Sequence, residues 1–287
     1  VFKLLNKLQC LVACLLWASL ASQAVNADEP RFSSMHWAFS AFFGSGWYEI
    51  SDSESVFIVR APFRQDRRRS SLSDGQREVG IEFHYPLTVG LHNVDSLDDF
   101  ADVDNFGTLA FTPGIELEIP VTEQWYLRPL AHFGWGTATD GGESAWMYYG
   151  GIKSRYTPAA GAARWSVLNA LYRAGYHAEN GDSGSITMAM AGAEFHHPIA
   201  AQLADGEALQ LNWHLTYSWL FDEAEFGLRS GFSQTVDDQW ELGIALAPSQ
   251  RTLRLWKFAF AQLGLSFRAS SNGDYRAIGI NASSPFY

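Results

Sequence analysis

A chain of 287 residues with 31 acidic against 20 basic side chains has a formal net charge of −11 at neutral pH. So acidic a surface argues against nucleic acid as a partner, because phosphate binding is dominated by Lys and Arg. Aromatic residues make up 15% of the chain and no low-complexity linker divides it, which favours one large all-β unit over two small domains.

Lys3 and Lys7 precede an apolar run from Leu11 to Leu20, and Val25-Asn26-Ala27 stands just before Asp28-Glu29-Pro30. This is the pattern of a secretory signal peptide over residues 1–27, cut after Ala27; a membrane anchor would want about 20 apolar residues and a positive stop. Both cysteines, Cys10 and Cys14, lie inside it, so the mature chain is expected to hold no thiol or disulfide and a net charge of about −13. Leu11-Val12-Ala13-Cys14 also resembles a lipoprotein box that would place a lipid on Cys14. Asn6, Lys7 and Gln9 break the apolar stretch before it and the oily run continues past it, so cleavage after Ala27 is the preferred reading. Beyond this segment no apolar run reaches about 18 residues, and any membrane crossing there is made by strands.

Residues 28–54 read as an N-terminal segment, in which the aromatic stretch Met35 to Tyr48 is either a strand at about His36–Phe43 or a helix lodged in a lumen. Phe57–Arg64 is the next candidate strand. The clearest stretch follows, where Val79, Ile81, Phe83, Tyr85, Leu87, Val89 and Leu91 share one parity and Gly80, Glu82, His84, Pro86, Thr88 and Gly90 the other. A helix would scatter those apolar groups around its circumference, so the segment is extended. Thirteen residues at about 3.3 Å each span about 43 Å, enough to cross the roughly 25 Å apolar band of an outer-membrane barrel even when tilted by about 40°. The same period returns in Leu109–Val121, Trp125–Trp135 and Leu209–Trp219. It is less clean in Ala145–Tyr156, Trp165–Ala178, Ser185–His196, Trp240–Ala247, Leu253–Arg268 and Tyr275–Phe286. Turn signals such as Glu179-Asn180-Gly181-Asp182 and Ser271-Asn272-Gly273-Asp274 separate the strands. Phe221–Gln239 reads as a single external loop, which brings the total to about twelve strands. With both termini periplasmic, the acidic segment Asp95–Asn105 falls outside and the short Thr122–Gln124 turn inside, at the cost of a long basic periplasmic connection through Arg67-Arg68-Arg69.

Alternation alone does not say which face meets water, since a secreted sandwich shows the same period. Strand length argues for a membrane, and so do aromatics placed along strands as interfacial girdles would be: Trp125 and Trp135, Trp213 and Trp219, Tyr148 and Tyr156. Ile278, Ile280, Ala282 and Phe286 then share a parity before Tyr287. With stretches such as Trp125-Tyr126-Leu127-Arg128-Pro129 and Asn272-Gly273-Asp274-Tyr275-Arg276, the chain resembles the barrel of autotransporters. More closely, it is similar to the solitary autotransporter-like outer-membrane barrels that stand without a secreted passenger, since only about 30 residues separate Ala27 from the strand at Phe57. The resemblance implies an all-β fold, a single antiparallel transmembrane β-barrel of about twelve strands over residues 55–287, in the outer membrane of a Gram-negative bacterium. It further implies contact with outer-membrane lipid, biogenesis through the barrel-assembly machinery and periplasmic chaperones, Phe286 and Tyr287 as the assembly signal, and a monomer.

No enzymatic constellation is visible. An outer-membrane phospholipase carries His-x-Ser-Asn-Gly, whereas Ser271-Asn272-Gly273 here has Ala269 at the His position, and a serine without a base is a poor nucleophile. Asp95, Asp98, Asp99, Asp102 and Asp104 lack the spacing of a calcium loop. His196 and His197 point to opposite faces of an extended chain and so do not clasp one ion, and no cofactor or metal is expected. The remaining candidates line a lumen: Glu82, Glu116, Glu118, Arg128, His132 and His214, with His84, Glu78, Lys153, Arg155, Arg164 and Arg173 on faces that also suit one. Opposite charges inside a narrow barrel pair across it and stabilise the wall. The expectation is therefore a plugged or narrow barrel with a structural or interaction role; a narrow passive channel is the alternative, and an outer-membrane lipid hydrolase is the weaker third.

Overall fold

The computed structural model describes residues 33–34, 44–51, 54–73, 76–92, 106–138, 143–158, 164–181, 183–203, 206–227, 233–249, 253–255, 258–260, 262–273 and 276–281. Among these, twelve strands close into one antiparallel ring. They are β1 (Gly46–Ser51), β2 (Glu54–Arg68), β3 (Gly80–His92), β4 (Phe106–Phe111 and Gly114–Pro120, broken at Thr112-Pro113), β5 (Trp125–Ala138) and β6 (Ser144–Tyr156). β7 (Arg164–Ala178), β8 (Ser183–Gln202), β9 (Ala208–Gly227), β10 (Ser233–Pro248), β11 (Leu263–Ala269) and β12 (Arg276–Asn281) complete it. Each strand pairs with its neighbour in sequence, and β12 pairs with β1 through Arg276↔Glu49, Ala277↔Tyr48, Ile278↔Trp47 and Gly279↔Gly46. Closure leaves the wall without a free edge, the only way a sheet satisfies its backbone in hydrocarbon.

The side-chain distribution is inverted relative to a soluble domain. Glu116 and Glu194 are 1% exposed while Phe133 is 59% and Leu263 60% exposed. In β3 the parity of Glu82 and Thr88 faces in and that of Tyr85 and Leu87 faces out; in β10 Glu241, Gly243 and Ala245 face in and Trp240, Leu242 and Ile244 out. One arc departs from this. Toward the opposite end of β7 and β8 from Ser166 and Glu194 the inner parity is apolar, with Tyr176 and Ile186 packed with Met147, Ala110 and Ala174 in one inner cluster and Tyr172 with Leu130 and Ala170 in another.

β1 starts and β12 ends at the same rim, hereafter the terminal rim. The facing ends of β2 and β3, β4 and β5, β6 and β7, β8 and β9, and β10 and β11 lie at it, and those of β1 and β2, β3 and β4, β5 and β6, β7 and β8, β9 and β10, and β11 and β12 at the opposite rim. Two terminal-rim connections carry small hairpins, Ser71–Ser73 with Gln76–Glu78 and Leu253–Leu255 with Phe258–Phe260.

Three sequence readings are corrected. The first ring strand is Gly46–Ser51 and not about His36–Phe43; residues 35–43 lie outside the described residues. Phe221–Gln239 is no single loop: β9 runs to Gly227, β10 begins at Ser233, and Ala224↔Val236 through Gly227↔Ser233 extend their pairing past an irregularity at Trp219/Ala224. Leu253–Arg268 is divided between the small hairpin and β11. Residues 1–27, Phe286 and Tyr287 lie outside the described residues.

Candidate functional site: the charged inner wall

The main cluster is built by five neighbouring strands toward the terminal rim. β3 supplies Glu82 and His84, β2 Arg64, β4 Glu116 and Glu118, β5 Arg128 and His132, and β6 Lys153. Register brings them together, because Lys153 pairs with Arg128 and Glu116 with Glu82. Arg128 Nε lies 2.5 Å from Glu116 and 3.6 Å from Glu118, and its Nη2 is 3.4 Å from Glu82. Lys153 Nζ is 2.7 Å from the other oxygen of Glu116. Arg64 Nε lies 3.6 Å and His84 Nε2 3.0 Å from Glu82. Three cations thus face three carboxylates, and the pairing offsets the desolvation that isolated charges would suffer.

A glycine sets the next layer. Gly114 pairs with both His84 and His132, and a Cβ there would run into the His132 ring. Without one, the two imidazoles meet with centroids 5.3 Å apart, and His132 Nδ1 lies 2.9 Å from the Thr112 carbonyl. The row continues from His132 to Tyr149 at 5.5 Å and from Tyr149 to Tyr172 at 5.3 Å.

A second cluster occupies the opposite arc. Arg268 on β11 lies 3.1 Å from Glu241 through Nε and donates through Nη1 to the Tyr48 hydroxyl at 2.7 Å, which in turn donates to the Gly44 carbonyl at 2.6 Å. His214 Nε2 sits 3.3 Å from Glu241. Beside it, Asn212 joins His196 at 2.8 Å and donates to Gln262 at 3.0 Å, and His196 lies 3.3 Å from Glu194. Arg60 on β2 shares the parity of Ile58 and Arg64, and its backbone N–H donates to Ser45 Oγ at 2.9 Å.

The structure thus places Glu82, Glu116, Glu118, Arg128 and His132 in one network and His214 in the other; Glu118 is at the rim, its side chain 35% exposed. Arg173 is corrected: it shares the outward parity of Trp165 and is exposed. Glu78 belongs to a rim hairpin, bonded by Ser71 at 3.1 Å, and Arg164 is exposed at the start of β7. His197 is exposed and His196 half-buried. Ser271 donates through backbone and hydroxyl to Asp238, in a turn that Gly273 closes at φ 85°. Tyr48, Arg64, Glu241 and Arg268 were missed by the sequence reading. Glu241 and Arg268 do carry the signal, being on the parity opposite Leu242 and Ile244, and Leu265 and Phe267.

No family model and no curated protein matches the chain. Among solved structures it is similar to the crystal structure of the beta domain of the Bordetella autotransporter Brka, with 15% sequence identity and a TM-score of 0.45, over 83% of this chain and 96% of that one.

Proposed function

We propose that the chain is an integral outer-membrane barrel of the autotransporter-translocator type, with a structural or interaction role and a lumen closed by its own inner wall. The observation that carries this is the inverted burial: paired charges inside and Phe133, Leu263, Phe267 and Ile278 at half exposure or more outside. Apolar surface costs about 25 cal/mol per Å² when wetted, so a wall of such residues calls for hydrocarbon around it. The test is a folded-against-boiled gel shift of the mature chain in detergent, with sedimentation in plain buffer. A heat-modifiable band that aggregates without detergent supports the reading, and a soluble folded monomer removes it.

The second reading is a narrow passive channel. It is favoured by inward polar atoms with no hydrogen-bond partner among the described residues, namely Thr88 Oγ1, Thr216 Oγ1, Ser266 Oγ, Gln262 Nε2 and Asn281 Nδ2, groups that suit a hydrated passage. Planar-bilayer recording separates the two: no unitary steps for a closed barrel, discrete steps for a channel.

A further inference from the structure

We propose that the outer wall over β6, β7 and β8 binds an anionic, phosphate-bearing lipid of the surrounding leaflet. This rests on the membrane-barrel reading above. On most other strands the outward parity is dominated by large apolar groups, but on β7 it includes Asn169, Arg173 and His177, all exposed, and on β8 it falls to Ser185, Thr187 and Ala191. The register between β7 and β8 runs unbroken from Arg164↔His196 to His177↔Ser183, so the polar outer face is a property of the wall and not of a local slip.

The result is a shallow trough with a cationic floor. Arg173 pairs with Gly150 on β6 and Thr187 on β8. A Cβ added at Gly150 would meet only the Leu130 carbonyl at 3.6 Å, so nothing from β6 covers the guanidinium. Gly175, two residues on, carries the Tyr148 hydroxyl across its bare backbone. Trp146 pairs with His177 and is 51% exposed, and Trp219 on β9 is 54% exposed; they form the ridges on either side.

Arg173 donates to the neutral Ser185 hydroxyl at 3.1 Å, and no ion pair among the described residues includes it. A charge on the lipid-facing side of a barrel is disfavoured with depth, and the cure open to Arg is to reach toward an anion at headgroup level. β7 runs toward the opposite rim, so Arg173 and His177 lie in that half of the wall, beside Trp146, an aromatic of the kind that marks the interface. A planar guanidinium matches phosphate oxygens in bidentate fashion, His177 offers a ring N–H on the same face, and the low-walled trough accommodates acyl chains.

The test uses the full mature chain, refolded in zwitterionic detergent and shown to be heat-modifiable. It is incubated with diphosphorylated lipid A, phosphatidylglycerol or phosphatidylcholine and read by native mass spectrometry. Retention of either anionic lipid is expected to exceed that of phosphatidylcholine and to fall by at least about tenfold in R173Q, to survive in R173K, and to be unchanged in R276Q, where an exposed Arg on β12 is removed. Equal retention of phosphatidylcholine, an undiminished R173Q, or an equal loss in R276Q overturns the proposal. Displacement by millimolar inorganic phosphate overturns it too, by reassigning the site to a free anion; no displacement supports a lipid. Failure to obtain a heat-modifiable band at all is the distinct failure of the barrel reading.

Discussion

Glu116 shows how the inner wall constrains single residues. It is 1% exposed and holds both Arg128 and Lys153 within 2.7 Å, so replacing it with Gln leaves two buried cations short of one charge. Breaking such a group costs about 3 to 5 kcal/mol where one partner is removed. We expect E116Q to lower the urea midpoint of the folded barrel, with part of the loss recovered in E116Q/K153M; an unchanged midpoint in E116Q would mean that the pairs contribute nothing. Gly114→Val is expected to destabilise by a different route. Its Cβ meets the His132 ring and sits 2.6 Å from the Ala131 carbonyl, and overpacking of this kind costs about 1 to 3 kcal/mol. The temperature of the gel-shift transition reads this loss, and an unshifted transition contradicts it. Parity alone made Glu82, Glu116, Glu118, Arg128, His132 and His214 legible as inward groups. Which cation meets which carboxylate was not legible, because that depends on strand stagger, and a single sequence carries periodicity without register.

At the scale of the strand, the misreadings have a common physical cause. Alternation is imposed only where the two faces of a strand meet different surroundings. The pairing of β9 and β10 past Trp219 follows an irregularity in register, and Asp222, Glu223, Glu225 and Asp237 interrupt the oily alternation that would betray a strand there. β1 places aromatics on both faces, Trp47 half-exposed and Tyr48 buried against Arg268, so its parity is masked. In the stretch before β11, Leu253, Leu255, Phe258 and Phe260 continue an apolar pattern through a separate hairpin, and two elements read as one. Composition within a strand also predicts where the wall is weakest. Pro62 pairs with Pro86, and Pro113 breaks β4 beside them, bonded only through its carbonyl to the Phe133 amide at 3.0 Å. Proline donates no ladder bond, whereas β6 and β7 pair without interruption from Ala145↔Ala178 to Tyr156↔Val167. Amides flanking Pro62 and Pro86 are expected to exchange with deuterium faster than those at the centre of β6, in hydrogen exchange read by mass spectrometry; equal protection would show that the proline seam costs the ladder nothing.

For the whole molecule, stability depends on closing the ring, and the ring is not equally closed everywhere. Among the described residues β12 and β1 share four paired positions, where β6 and β7 share twelve. An antiparallel ladder gains from every paired row, so opening begins where rows are fewest, and that opening exposes an edge of unpaired backbone. Trp47 and Ile278 face each other across this seam, while Ile152 and Leu171 face each other across the long β6–β7 ladder. The sequence has cysteines only at positions 10 and 14, so a paired W47C/I278C disulfide is readily introduced into a chain starting after residue 27. If the seam limits stability, W47C/I278C raises the temperature of the gel-shift transition under oxidising conditions, and dithiothreitol reverses the rise. I152C/L171C, which staples strands that are already fully paired, is expected to raise it less. An equal gain from both staples would mean that the wall unfolds as one cooperative unit, with no preferred line of opening.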